Sequence, residues 1–229
     1  PNYAAAYAGM ADCFLLGGAI PQSTESAESL AKKALAIDDL CGEAHTSLAY
    51  YKSAVEWDWQ GAEQEFQRAI TLDPGYPTAR HWHAYNLASL GRLDEALLEI
   101  REAQRLDPPS LIINTDIGHI LYLSKKYDAA IEQYLAVLEV DPGFSKAHWR
   151  LAEAYTQEHR WDEALAELAE VDRLGKDHVE VWVAYTKARA NRKDEAMNIL
   201  RRLEPNADIV RSPFPIALIY AGLGDNDSA

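Results

Sequence analysis

Four alanines stand at intervals of 34 residues along the 229-residue sequence: Ala62, Ala96, Ala130 and Ala164. The dipeptide Asp-Pro keeps the same interval, at 73–74, 107–108 and 141–142. A constant period of this length is the signature of a repeat array, in which each unit buries its apolar face only against its neighbours. The chain is therefore expected to fold as a linear series of about six similar units.

When Pro77–Ser110 is taken as the reference unit, two of its positions hold small residues in unit after unit. Position 8 reads Ala11, Ala49, Ala84, Gly118, Ala152 and Thr186, and position 20 reads Ala27, Ala62, Ala96, Ala130, Ala164 and Ala196. Larger apolar residues stand four places beyond the second set, on the same helical face: Phe66, Ile100, Tyr134, Leu168 and Leu200. This pattern predicts two closely packed helices per unit. The second helix ends at the Asp-Pro step, because proline lacks a hydrogen-bond donor and restricts the residue before it.

The 34-residue period with these residues at these offsets resembles the tetratricopeptide repeat (TPR), a pair of antiparallel helices. The resemblance implies an all-α fold, a right-handed α-α superhelical solenoid of helix-turn-helix repeats, with thirteen helices and no sheet. One array over 1–229 is predicted, with repeats at about 4–41, 42–76, 77–110, 111–144, 145–178 and 179–211 and a partial repeat at 213–229.

Several segments extend the resemblance beyond the repeat itself. They read Ala-Ile-Asp-Asp at 36–39, Glu-Ala-His-Thr-Ser-Leu-Ala at 43–49, Trp-Asp-Trp-Gln-Gly-Ala-Glu at 57–63 and Ile-Ala-Leu-Ile-Tyr-Ala-Gly-Leu-Gly-Asp at 216–225. Together they resemble the C-terminal TPR array of bacterial multidomain regulators, which follows winged-helix, Ser/Thr kinase or nucleotide-cyclase-like domains. Because the sequence opens with Pro1-Asn2-Tyr3, we expect it to be part of a longer protein. A cytoplasmic location is favoured, or a periplasmic one where the parent protein has a membrane span upstream.

Composition excludes several function classes. The net charge of −14 repels phosphate backbones, which argues against nucleic-acid binding by this segment. No apolar run approaches the ~20 residues of a membrane span, so no membrane contact through this segment is expected. Two cysteines, Cys13 and Cys41, are too few for a disulfide framework.

The sequence contains none of the motifs of common catalytic or cofactor sites. His81 and His83 stand two residues apart on a helix, which is the wrong spacing for a metal chelate. Acidic pairs such as Glu63/Glu65, Glu99/Glu102 and Glu167/Glu170 fall on second helices, where we expect a solvated surface. We therefore predict no enzyme activity, no cofactor and no metal site.

Binding of a protein or peptide is the favoured function. In a TPR superhelix the first helices line a concave groove, and the predicted groove residues are Tyr50, His81, Trp82, Tyr85, His119, Tyr122, Lys146, Trp149 and Arg150. Rigid aromatic side chains beside arginine and lysine are typical anchors of protein interfaces. Because the core positions have their own apolar residues, we expect Trp82 and Trp149 to be dispensable for stability. Trp57 and Trp59 lie in an inter-helix turn, where local packing is expected rather than ligand stacking.

Two alternatives remain open. The array can be a structural module that associates with itself through apolar ends. Because the ends of the array lack caps, we expect Leu218, Ile219 and Leu223, on a lone last helix, to fold back weakly or to pack on a neighbouring molecule. The array can also be the regulatory domain of a kinase or a nucleotide-cyclase-like enzyme.

Overall fold

The computed structural model describes residues 3–17, 26–175, 179–203 and 214–224, with the side chains of 214 and 215 excepted. These residues form thirteen α-helices and one π-helical turn, and they contain no strand. The chain divides into two compact units, Pro1–Ser124 and Lys125–Ala229. The boundary falls inside the predicted repeat 111–144.

The first unit contains seven helices: α1 (Ala4–Leu15), α2 (Ala27–Ile37), α3 (Gly42–Tyr51), α4 (Trp59–Leu72), α5 (Pro77–Ser89), α6 (Leu93–Leu106) and α7 (Leu111–Leu123). The second contains α8 (Tyr127–Val140), α9 (Ser145–Gln157), α10 (Trp161–Arg173), α11 (Val179–Arg189), α12 (Lys193–Leu203) and α13 (Phe214–Leu223). The all-α fold and the number of helices agree with the prediction.

Neighbouring helices pack in pairs, and the first helices of successive pairs also contact one another. In the first unit α1 packs on α2, α3 on α4 and α5 on α6, while α1, α3, α5 and α7 touch in that order. In the second unit α9 packs on α10 and α11 on α12. The side chains of consecutive first helices therefore form one continuous surface within a unit, which we call the first-helix face.

The predicted small residues occupy the contacts between helices. All six alanines at position 20 are buried, as are the six small residues at position 8. Phe66, Ile100, Tyr134 and Leu200 are completely buried beside them, and Leu168 nearly so. A methyl group at the contact lets two helix backbones approach closely, and the large side chain four residues later fills the remaining space.

The last helix is better packed than the sequence predicts. Ile219 is completely buried against Val181, Ala184 and Leu200 of α11 and α12. Gly222 permits this approach, because a Cβ atom there would lie only 3.0 Å from the ring of Tyr185. The expectation of weak fold-back is wrong for Ile219, since α13 stands where the first helix of another pair would stand.

A repeated polar pair ties first helix to second helix. His45 Nδ1 lies 2.7 Å from Glu65 Oε2, and His148 Nδ1 lies 2.5 Å from Glu167 Oε2. In the pair between them, Arg80 Nη1 donates to Glu99 Oε2 at 2.8 Å. All three first-helix residues stand at position 4 and all three glutamates at position 23. These glutamates are half-buried, so the expectation of fully solvated carboxylates is wrong for them.

The environment of His45 favours its charged form. Its second nitrogen, Nε2, lies 3.0 Å from the carbonyl oxygen of Asp39, so both ring nitrogens face acceptors. The hydrogen bond to Glu65 raises the pKa of His45 above 6.5. The same bond, together with Lys52, lowers the pKa of Glu65 from 4.5 to about 2.

The pKa of the Asp12 carboxyl group is shifted in the opposite direction from that of Glu65. Burial is the main cause that raises the pKa of Asp12 from 3.8 to about 6, against the hydrogen bond that Ser47 Oγ donates to Oδ1 at 2.5 Å. The raised pKa values of Asp12 and His45 both mean stability that is lost as pH rises through them. The lowered pKa of Glu65 means stability that is lost as pH falls from 4.5 towards 2. Folding is therefore expected to be most stable on the acidic side of neutrality.

Replacement of Asp12 by asparagine should remove part of this pH dependence. Asparagine keeps the acceptor for Ser47 and resembles the protonated carboxyl group. The free energy of unfolding of D12N at pH 8 should therefore exceed that of the wild type by about 1 kcal/mol. This value converts the pKa shift of Asp12 into energy and is reduced because the side chain is partly exposed. The two proteins should be nearly equal near pH 4. Urea unfolding at both pH values measures this, with the exposed Asp94→Asn as control. A D12N protein less stable than the wild type at pH 8 would contradict the assignment.

Candidate partner-binding surface

The first-helix face of the first unit carries a row of aromatic rings. Tyr85 of α5 lies between two histidines, with ring centroids 5.6 Å from His81 and 6.0 Å from His119. His119 stacks on Tyr122 of the same helix at 6.3 Å, with 15° between the ring planes. Tyr85, His119 and Tyr122 are half-buried. The structure therefore brings together the predicted groove residues of α5 and α7 as adjoining rings.

Trp82 has a different role from the one predicted. Only 6% of its surface is exposed, and it packs in the core with Ala49, Ala62 and Phe66. Tyr50 covers it from α3, with the ring centroids 4.6 Å apart. The expectation that Trp82 lies outside the core is wrong, because α3, α4 and α5 close around position 6 of this repeat. Tyr50 remains half-buried at the surface.

His81 is part of a buried polar pair. Its Nε2 lies 2.8 Å from Oδ2 of Asp116 on the next first helix, and Asp116 is 1% exposed. A buried carboxylate is stable only with such a partner, so the bond joins α5 to α7 and fixes the His81 ring. The buried His81 ring thus contacts Tyr85, and the accessible rings of the row are those of Tyr85, His119 and Tyr122.

The remaining predicted residues belong to the second unit. Lys146, Trp149 and Arg150 are half-buried on α9. Arg150 Nη1 donates to Glu153 Oε2 at 2.8 Å, so Arg150 forms an ion pair with a carboxylate on its own helix. Trp149 rests on a core cluster of Ala152, Leu168, Val171 and Val179.

Three residues of α11 extend this surface and were missed at the sequence level. The Trp182 ring stands 5.4 Å from Trp149 at 75°, and Tyr185 stands 6.0 Å from Trp182 at 84°. Arg189 lies over the Tyr185 ring at 5.8 Å and donates to its hydroxyl at 2.9 Å. The signal was present, since Trp182, Tyr185 and Arg189 follow a helical spacing of three or four residues. These residues stand at positions 4, 7 and 11 of their repeat, which were not assigned to the groove.

Charge is divided unequally between the two kinds of helix in the second unit. Among first helices, α9 and α11 carry the cations Lys146, Arg150, Lys187 and Arg189 against Glu153 and Glu180. The second helices α8 and α10 carry eight carboxylates and a single arginine, Arg173. The helices α9 and α11 therefore carry more cations than carboxylates in a chain whose net charge is −14, as does α12, and Lys187 of α11 is paired with Glu195 of α12.

The clefts of the described residues show no catalytic arrangement. Cys41 borders one of about 650 Å³, where its thiol donates to Glu43 at 3.4 Å and burial raises its pKa. A thiol that stays protonated is a poor nucleophile. Within the described ranges no cluster of His, Cys, Asp or Glu is suited to a metal, and no helix there is long and apolar enough to cross a membrane.

Models of the tetratricopeptide repeat match residues 58–110 and 121–188, together more than half of the chain. The protein belongs to the tetratricopeptide repeat family. TPR repeats are in general protein-interaction scaffolds without catalytic function, and this accords with the helical surface described above.

Related TPR proteins have varied roles. The chain is 31% identical over 85 residues to small glutamine-rich tetratricopeptide repeat-containing protein 2 of Mycosarcoma maydis, a match that covers 37% of this chain and 24% of that protein. It superposes on PilW, a type IV pilus biogenesis factor, with a TM-score of 0.74 and 17% identity over 89% of this chain and 93% of PilW. YrrB, described as a TPR protein with an unusual peptide-binding site, gives 0.52 and 21% identity over 77% and 89%. These structural likenesses establish the TPR fold.

Trp82 and Tyr122 should respond differently to truncation. Trp82→Ala leaves a large cavity among core residues and should lower the free energy of unfolding by about 3–5 kcal/mol. Tyr122→Ala removes a half-buried ring at the end of the row and should cost about 1 kcal/mol or less. Urea unfolding followed by circular dichroism measures both variants. Equal losses would contradict the division between core and surface.

Proposed function

We propose that this TPR protein binds a peptide segment of a partner protein on its first-helix face. The observation that supports the proposal is the row formed by Tyr85, His119 and Tyr122, half-buried rings on consecutive first helices. The core beneath has its own residues, including Trp82 and Ile117, so packing does not require the row. Tyrosines held rigidly at a surface offer a large contact area with little loss of side-chain entropy.

The second unit offers a neighbouring surface of related chemistry. Trp149, Trp182 and Tyr185 form an aromatic corner, with Arg189 at its edge and Lys146 on the same helix as Trp149. Aromatic area beside cations suits a segment that carries apolar and acidic side chains. We infer that a partner segment presents at least one carboxylate to this unit.

Binding should depend on the row of rings in the first unit. Peptides selected from a random display library against the full chain provide the probe. Tyr85→Ala combined with Tyr122→Ala should weaken their binding by about 30-fold or more, since interface aromatics commonly contribute about 2 kcal/mol or more. Isothermal titration calorimetry measures the affinity.

The matched control is Leu98→Ala, which removes an equally apolar side chain, 72% exposed, from the second helix α6. It should leave affinity unchanged. Peptides that bind the double variant as tightly as the wild type would overturn the proposal, provided that its unfolding transition stays cooperative. Concentration-dependent light scattering without peptide binding would instead favour the self-association module.

We further propose that this module serves a larger bacterial regulator, in the cytoplasm, with the first-helix face as its sensory or docking surface. The segments at 43–49, 57–63 and 216–225 support this context through their resemblance to such arrays. The coding sequence upstream of Pro1 tests it directly. A front domain of another class would refute the context and leave the binding proposal intact.

A further inference from the structure

The turns between paired helices share one backbone requirement. In each of five turns one residue adopts a left-handed conformation: Trp57 (φ 60°), Gly91 (75°), Lys125 (60°), His159 (58°) and Asn191 (60°). Glycine adopts this conformation without strain and asparagine with little, whereas a bulky side chain is disfavoured there. Tryptophan is therefore the least suitable of the five residues for its turn.

Burial of the Trp57 side chain offsets little of this backbone strain. Trp57 is 72% exposed, which is more than any other Trp, Tyr or Phe in the described ranges. The next is Tyr3, at 65%. Its one described ring contact is with Trp59, at 5.9 Å and 77° between the planes. The expected local packing is thus limited to an edge contact. A strained residue that buries little area is a candidate for a role outside folding.

The turn holds this indole in a fixed position. One extra residue in this repeat is absorbed by the π-helical turn Lys52–Glu56, closed by a bond from Asp58 N to Lys52 O at 2.9 Å. Asp58 then caps α4 by accepting from Gly61 N at 2.9 Å. Turns of this π type occur often at functional sites. The exposed ring of Trp57 and the half-buried ring of Trp59 therefore form a corner of two nearly perpendicular planes on a hydrogen-bonded turn.

The charge around this corner differs from that of the other turns. Asp58 precedes α4, whereas basic residues stand at the corresponding place before α6, α8, α10 and α12: Arg92, Lys126, Arg160 and Arg192. Glu56 adds a second exposed carboxylate on the other side of Trp57. The nearby cations are already engaged, Lys52 by Glu65 and Lys32 by Glu28. The corner is thus aromatic and acidic, which is complementary to a cation.

We propose that Trp57 and Trp59, with Glu56 and Asp58, bind an arginine side chain from a basic segment of a partner protein. A guanidinium stacks on an indole face through its planar charge and donates hydrogen bonds to carboxylates at its edge. Arginine fits this corner better than lysine, because a planar group can contact one ring while its donors reach Glu56. This site is separate from the first-helix face, which suits an acidic segment.

A titration followed by the indole N–H signals of the six tryptophans tests the site. The probe is a glycine-spaced peptide with three arginines, and its control replaces each arginine by citrulline, the neutral isostere. The signals of Trp57 and Trp59 should shift saturably with the arginine peptide and stay fixed with the citrulline peptide. Signals of Trp57 and Trp59 that stay fixed with the arginine peptide, or equal shifts with citrulline, would overturn the proposal.

Two variants and a lysine peptide separate recognition from folding. Trp57→Gly places the residue found at position 91 into the same left-handed site, so its thermal stability should equal or exceed that of the wild type. In this variant the Trp59 signal should no longer shift with the arginine peptide. With the wild-type protein, a lysine peptide should bind about threefold more weakly than the arginine peptide. Glu56→Gln with Asp58→Asn keeps the helix cap and should weaken binding by about three- to fivefold. Unchanged affinity in Trp57→Gly would refute the site.

Discussion

The rest of the structure depends on the close contact between helices at small residues. Ala49, Ala62 and their equivalents bring backbones together, so that one large side chain per repeat, such as Phe66, completes the core. Because each repeat packs in this way, the first helices of a unit lie side by side and their outward residues form one surface within that unit. The proposed binding surface therefore depends on the alanine spacing. Any residue placed at an outward position of a first helix joins it.

The aromatic residues of the first-helix face in the first unit fall into two groups, those that are buried and those that remain accessible. Trp82 and His81 face inward, where they are held by the core and by Asp116. Tyr85 contacts His81, and Tyr85, His119 and Tyr122 follow one another as half-buried rings. Such an arrangement preorganises the accessible rings, which limits the entropy lost when a partner binds. It also means that loss of Trp82 would disturb binding through the fold rather than through contact.

Polar groups give the array a second kind of order. The pairs at positions 4 and 23 link the two helices of a repeat, with His45, Arg80 and His148 serving the same purpose. In the second unit, α8 and α10 carry eight carboxylates against one arginine, whereas α9 and α11 carry four cations against two carboxylates. The overall charge of −14 is thus unevenly distributed, since α9 and α11 carry more cations than carboxylates. Net charge alone would have suggested a basic partner for the whole molecule.

The sequence by itself determined the all-α fold, the pairing of helices and the buried small positions, because a strict 34-residue period leaves few other ways to bury these alanines. It also located Tyr85, His119 and Tyr122 on one face, since helical spacing fixes the direction of a side chain. Only the tertiary structure decided that Trp82 is core, because its burial depends on how α3 and α4 close around α5. The same holds for the exposure of Trp57 and for the contacts of Trp182. The first depends on a one-residue insertion, and the second on how α9 and α11 pack together, and periodicity specifies neither.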